Sequence, residues 1–244
     1  MILLVDIGNT NAHFGLADDR RVMRYWELPT RDVVRRPRLL RARVGGAIIG
    51  SVVPAAVAPV RRAIQRVYGV TPLLVSHKLD LGIGIRFPRP EQIGADRLAN
   101  AVSIAHRHGA PAIGVAFGTA LVFDVISARA EYLGGVIAPG LAAMTDYLYQ
   151  RTALLPRITL HEPKRAIGRS TIEAMEAGAV IGYRGLVREI LAALRRELGA
   201  KRPVVVGTGA YARLIAARLP EIACVDDNLT LEGLRIIYLR NCGQ

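Results

Sequence analysis

Met1-Ile-Leu-Leu-Val-Asp-Ile-Gly-Asn-Thr-Asn11 carries a single acid, Asp6, out of a short apolar run and straight into a polar turn. Ile2 to Val5 reads as a buried strand, Gly8-Asn9-Thr10-Asn11 as a turn tolerant of positive φ, and Ala12 to Ala17 as the returning strand. A hairpin of this kind gathers backbone N–H groups and hydroxyls around one point. Those donors suit a polyphosphate, and a carboxylate beside them can hold magnesium, which takes oxygen ligands and keeps several waters. The same residues also suit an ordinary hairpin closed by an Asx-type turn.

The pattern recurs at Ile113-Gly-Val-Ala-Phe-Gly-Thr-Ala-Leu-Val-Phe-Asp124 as strand, Gly-Thr turn and strand. Gly118 matches Gly8, and Ala116 falls where Asp6 stood. Two copies about a hundred residues apart imply a duplicated α/β fold whose halves face each other across a cleft. Between the copies, Ala47 to Val53 reads as a strand closed by Pro54, Val57 to Tyr68 as a helix, and Thr71 to Val75 as a strand. Phe87-Pro-Arg-Pro90 is a stiff extended loop. Gly94-Ala-Asp-Arg97 then opens an amphipathic helix that runs to about His108, with Asp96 expected at its N-cap.

Beyond the second hairpin, Leu133-Gly-Gly-Val-Ile-Ala-Pro-Gly140 leads into a helix from Leu141 to Tyr149. Ser170-Thr-Ile-Glu173 is a capping box. The helix it starts carries small residues at Ala174, Ala177, Gly178 and Gly182, which suit either packing on its own sheet or a dimer surface. A charged helix is expected from Leu186 to Leu198. A strand from Val204 then enters the turn Gly207-Thr-Gly-Ala210, a candidate adenosine or phosphate loop, ahead of a helix from Tyr211 to Leu219.

Composition bounds the function classes. The chain has 244 residues, 51% of them hydrophobic, enough for one large or two moderate cores. No apolar run approaches the roughly 20 residues of a bilayer-spanning helix, and the first acid arrives too early for a signal peptide, so a cytoplasmic protein without a membrane partner is expected. Cys224 and Cys242 lack metal-ligand spacing, and no G-x-x-x-x-G-K-[ST] loop is present. The net charge is +13, with lysine confined to Lys78, Lys164 and Lys201. The densest basic cluster, Arg31, Arg35, Arg36, Arg38, Arg41 and Arg43, reads as a solvated face. No DNA- or RNA-binding motif accompanies it, so a nucleic-acid partner is not expected.

Together these segments resemble the type III pantothenate kinases, members of the superfamily that contains acetate kinase, sugar kinases, actin and heat-shock ATPases. The carriers, in chain order, are Val5-Asp-Ile-Gly-Asn-Thr10, Gly94-Ala-Asp-Arg97, Gly118-Thr-Ala120, Gly134-Gly-Val-Ile-Ala-Pro-Gly140, Thr152-Ala-Leu-Leu-Pro156, Gly168-Arg-Ser-Thr171 with Gly178 to Tyr183, and Asn228-Leu-Thr-Leu-Glu-Gly-Leu234. The resemblance implies duplicated ribonuclease H-like (actin-like ATPase) domains, expected at residues 1–112 and 113–244. It implies ATP-dependent phosphorylation of pantothenate by a homodimer with a shared substrate site. By position, Asp6, Ile7, Gly8, Asn9, Thr10, Asn11, Ala12 and His13 would bind the ATP phosphates, with Asp6 also on magnesium, and Gly118 and Thr119 would add phosphate contacts. Asp96 would accept the hydroxyl proton. Gly94, Ala95, Asp96 and Arg97 would form the pantothenate loop, joined by Phe87 and by Thr171, the latter from a second subunit.

The departures lie in the nucleotide half. The family's second hairpin usually reads Asp-x-Gly-Thr-Ala-Thr-Thr, whereas here it is Ala116-Phe-Gly-Thr-Ala-Leu-Val122. That removes a carboxylate associated in the family with a monovalent cation, K+ or NH4+, and two hydroxyls near the phosphates. Phe87 also stands where many relatives have tyrosine. Two accounts follow: an enzyme with altered cation use and weaker ATP binding, or an accessory homologue that binds without catalysing.

Overall fold

The computed structural model describes residues 1–200 and 202–242. The first half runs β1 (Ile2–Ile7), β2 (Asn11–Ala17), β3 (Val22–Pro29), α1 (Thr30–Arg35), β4 (Gly46–Ser51), α2 (Pro54–Tyr68), β5 (Leu73–Leu74), β6 (Gly84–Ile85) and α3 (Ala95–Arg107). The second runs β7 (Ala112–Phe117), β8 (Ala120–Ile126), β9 (Glu131–Pro139), α4 (Leu141–Arg151), α5 (Thr171–Leu198), β10 (Val204–Thr208), α6 (Ala212–Ala216), β11 (Cys224–Val225) and α7 (Leu229–Cys242).

The duplication is visible in the sheets. One has the strand order β3-β2-β1-β4-β5, and the other contains β9-β8-β7-β10-β11, which is the same order one repeat later. In each, a hairpin pairs antiparallel and its first strand pairs parallel with the fourth: β1 with β2 and β4, β7 with β8 and β10. The registers Asp6↔His13 and Ala116↔Val122 put Ala116 at the position Asp6 holds in the first copy.

Burial on both faces explains the unbroken apolar run of β1. Leu3, Val5 and Ile7 join Ala12, Phe14 and Leu16 of β2 against Ala56, Val60 and Ile64 of α2. The opposite face, which carries Leu4, Asp6 and Gly50, meets α3 and α7: a Cβ at Gly50 would stand 3.2 Å from Leu234 and 3.6 Å from Ala95. The second core is built from Ile113, Val115 and Phe117 of β7, Leu121 and Phe123 of β8, and Val180, Tyr183, Val187 and Leu191 of α5.

The chain forms two compact units, one of Met1–Gly109, Arg129–Leu133 and Asn228–Gln244, the other of Ala110–Ala128 and Gly134–Asp227. The expected division at 112/113 falls near the first crossing, but the last helix does not stay with the second half. α7 is tied to the first unit by buried and half-buried polar bonds. Thr230 Oγ1 donates to Asn100 Oδ1 at 2.7 Å, Glu232 accepts the Val22 N–H at 2.9 Å, and Arg235 bridges Glu232 at 2.7 Å and the Asp19 carbonyl at 2.7 Å.

Other expectations need correction. The separate helix from Leu186 is the second half of α5, whose buried stripe Met175, Ala179, Tyr183, Val187 and Leu191 continues past the glycines at a four-residue spacing. Its capping box is shifted: Ser170 Oγ accepts the Glu173 N–H at 3.2 Å, while the Glu173 carboxylate accepts from Arg169 at 2.8 Å. The Thr71–Val75 strand shrinks to β5, and the Tyr211–Leu219 helix to α6. β3, α1 and α7 were not anticipated. The six arginines from Arg31 to Arg43 are all exposed, on α1 and the irregular stretch after it.

Candidate active site

The first unit builds a site from the ends of β1, β2 and β3 and the start of α3. The β1–β2 turn is closed by the Gly8 N–H on the Asn11 carbonyl at 3.0 Å. Thr30, the first residue of α1, braces it from behind, its hydroxyl donating to the Gly8 carbonyl at 2.6 Å and its N–H to the Thr10 carbonyl at 2.9 Å. Asn9 and Thr10 stay exposed. Two of the turn's carbonyls thus point back into the protein, an arrangement suited to receiving an anion on the amide side.

Cross-strand pairing sets Gly50, Asp6, His13 and Glu27 in one row on one face of the sheet. His13 Nδ1 lies 2.9 Å from the Tyr25 hydroxyl, which donates to Glu27 at 2.9 Å. Because the single phenolic proton goes to Glu27, His13 carries its own proton on Nδ1. Tyr25 and Glu27 were not read from sequence. The alternation of Tyr25 and Glu27 with the inward Trp26 and Leu28 was the available signal.

Asp6 is buried, and desolvation, aided by the like charge of Asp96, raises its pKa to about 8. Asp96 is half-buried, and its pKa is also raised, by desolvation, against the opposing pull of the Arg97 N–H and guanidinium. The expected N-cap role of Asp96 is corrected: Gly94 is the N-cap of α3, and the Asp96 carboxylate folds back to accept the Arg97 N–H at 2.9 Å. A Cβ at Gly94 would come within 2.5 Å of that carboxylate and 3.3 Å of Val52, so the fold-back requires glycine. Two carboxylates from two elements are thereby brought into electrostatic reach of each other. Oxygen donors of this kind fit magnesium, though among the described residues no group of three or more His, Cys, Asp or Glu side chains assembles a metal site.

Beside Asp96, the Arg97 guanidinium carbon stands 5.7 Å from the centre of the Tyr132 ring. Phe87 meets the same ring edge-on at 6.1 Å. Arg97 and Phe87 are thus brought together through Tyr132, which sequence reasoning missed.

The second unit holds the remaining candidates. In the β7–β8 turn, one residue shorter than the first, the Gly118 N–H donates to the Ala120 carbonyl at 3.1 Å. The buried Gly140, N-cap of α4, lies against the carbonyls of Gly118 and Thr119 so closely that a Cβ would collide with them. Ala116 pairs with Val122 and with Thr208, while Leu121 turns into the core. Thr171 is the exposed first residue of α5. No helix among the described residues is long and apolar enough to cross a membrane.

Known proteins are similar to this chain. Among solved structures, a conserved Baf family protein from Campylobacter jejuni superposes with a TM-score of 0.65 at 20% identity, covering 99% of this chain and 100% of that one. The activator of the 2-hydroxyisocaproyl-CoA dehydratase from Clostridium difficile, solved with bound ADPNP, gives a TM-score of 0.53 at 12% identity over 98% and 92% of the two chains. These similarities carry the fold, that of the sugar kinase and actin-like ATPases. A type III pantothenate kinase from Akkermansia muciniphila is 50% identical over 240 residues, 96% of each chain. Residues 2–193 match the family model described as type III pantothenate kinase, and the chain therefore belongs to the type III pantothenate kinase family.

Proposed function

We infer that this protein is a cytoplasmic kinase that transfers the γ-phosphoryl group of ATP to the primary hydroxyl of pantothenate, giving 4'-phosphopantothenate, the first step toward coenzyme A. Family membership supports the reaction. The observation that carries the site assignment is the pairing of Asp6 with Asp96 beside an arginine at the start of α3. Phosphoryl transfer asks mainly for positioning and charge stabilisation, with a carboxylate at the nucleophile and donors around the phosphates.

Asp96 is the group that accepts the hydroxyl proton, its raised pKa bringing it closer to the operating range of a general base. Arg97 pairs with the pantothenate carboxylate, and its planar fork suits a bidentate contact. Phe87 lines the apolar part of the substrate. The Asp6–His13 turn receives the ATP phosphates. Asp6 would hold magnesium, which when bound neutralises phosphate charge. We place Thr171 in the substrate site of a second copy of the chain, so that the working enzyme is a homodimer.

A coupled ADP-release assay with pantothenate, ATP and magnesium tests the reading. Wild type should release ADP only when pantothenate is present. Asp96→Asn should lower kcat by about 10²–10⁴ with no fall in melting temperature. An absence of pantothenate-dependent release in the wild type, or full turnover in the variant, counts against the assignment.

A further inference from the structure

Tyr132 is fully buried at 0% exposure, yet it touches the groups assigned to the carboxylate and to the apolar part of the substrate. Its ring stands beneath the Arg97 guanidinium at 5.7 Å and against the edge of Phe87 at 6.1 Å, which holds the cation and the apolar wall no more than about 12 Å apart. Its backbone is fixed by pairing of the first residues of β9 with β6: Gly84↔Glu131 and Ile85↔Tyr132, with the Arg86 N–H on the Tyr132 carbonyl at 2.9 Å. Phe87 follows β6 by two residues, so this pairing also sets the position of Phe87.

We propose that Tyr132 is a positioning residue that fixes the Arg97 guanidinium and the Phe87 ring at a set spacing, and thereby selects substrates with a carboxylate at one end and an apolar body at the other. The inference rests on the pantothenate reading of the site. An arginine side chain free to sample its rotamers must be ordered when it meets a carboxylate, and that ordering weakens binding. A buried aromatic face orders it beforehand. The ring electrons also attract the cation without using the N–H donors needed for the substrate. The ring is the operative part, so phenylalanine should replace tyrosine and leucine should not.

The test is steady-state kinetics with pantothenate and with pantothenyl alcohol, its neutral analogue in which a hydroxymethyl group replaces the carboxylate. Tyr132→Leu should raise KM for pantothenate about tenfold while kcat and the KM for ATP hold within about twofold. The same substitution should raise KM for the neutral analogue far less, by only the share that Phe87 carries, and in an Arg97→Gln background it should add no more than that share. Tyr132→Phe should restore KM to within about twofold of wild type, and being nearly isosteric it carries the test should the leucine variant fail to fold. A Phe variant as impaired as Arg97→Gln overturns the proposal. So does a Leu variant that weakens both acceptors equally, since a merely structural role would act on both. A wild type without pantothenate-dependent ADP release speaks instead against the activity itself, whereas an active wild type with an unaffected Leu variant speaks against Tyr132 alone.

Discussion

Asp6 shows what burying one carboxyl near another does to stability. Its carboxyl is buried with another carboxyl nearby, so the folded chain holds the proton up to about pH 8 while the unfolded chain releases it near pH 4. A carboxyl pKa raised on folding means that the group's stabilising contribution is complete below about pH 4 and is lost as pH rises toward 8. We therefore expect Asp6→Asn, measured without nucleotide and with a chelator present, to melt above wild type at pH 8. The gap should close toward pH 4, and the same variant should lose most of its turnover. Equal melting curves across that range would remove the electrostatic account. Asp6 was legible because an acid at the end of an apolar run, before Gly-Asn-Thr, is an unusual juxtaposition. The position of Asp96 on α3 was read with less success. Sequence suggested an N-cap, but a Gly94 that admits the folded-back carboxylate leaves no pattern in hydrophobic period. Tyr132 was invisible for a related reason, since its partners come from segments some 35 and 45 residues away in the chain.

Among the elements, those with a clean period were readable and those buried on several sides were not. The two hairpins announce themselves through Gly-x turns between apolar runs. α7 does not, because Leu229, Leu231, Glu232, Gly233, Leu234, Arg235, Ile236 and Ile237 are all buried and leave no polar face to mark a helix. β3 carries Arg24, Tyr25 and Glu27 on a half-exposed edge strand, which obscures its alternation. The β7–β8 hairpin also bears a prediction. Ala116 provides no carboxylate, and its cross-strand neighbours are the apolar Val122 and the uncharged Thr208. A weakly held monovalent cation therefore lacks the charged oxygen that would attract it. Turnover should be nearly indifferent to exchanging potassium or ammonium for sodium or a bulky organic cation at matched ionic strength. Ala116→Asp should either create a potassium dependence or destabilise the protein by about 1–3 kcal/mol through an unpaired, poorly hydrated charge. Strong potassium activation of the wild type would show that other oxygens already form a cation site.

For the whole molecule, the duplicated strand order explains why two copies of one hairpin were enough to identify the architecture: each copy is the centre of its own sheet. The return of the last helix to the first unit escaped a contiguous reading, because long-range polar bonds such as Glu232 to Val22 decide it. Assembly is the remaining step at this scale. On α5, the inward positions Ala177, Ala179, Val180 and Tyr183 are buried, whereas a Cβ at Gly178, Gly182 or Gly185 meets nothing within 4 Å. Ile172 and Ile181 are exposed on the same helix at 49% and 43%. A larger side chain at Gly178 therefore has room in a single chain, and it should leave the melting of an isolated subunit near that of the wild type. Against a second copy it would have no room, because close approach of helices depends on small residues and overpacking is destabilising. Light scattering at micromolar concentration should give the wild type twice the chain mass of 26.4 kDa and Gly178→Leu a mass near that of one chain. Because Thr171 begins the same helix, the variant should also show a raised KM for pantothenate. A fully active wild type at the mass of one chain would contradict a substrate site shared between subunits.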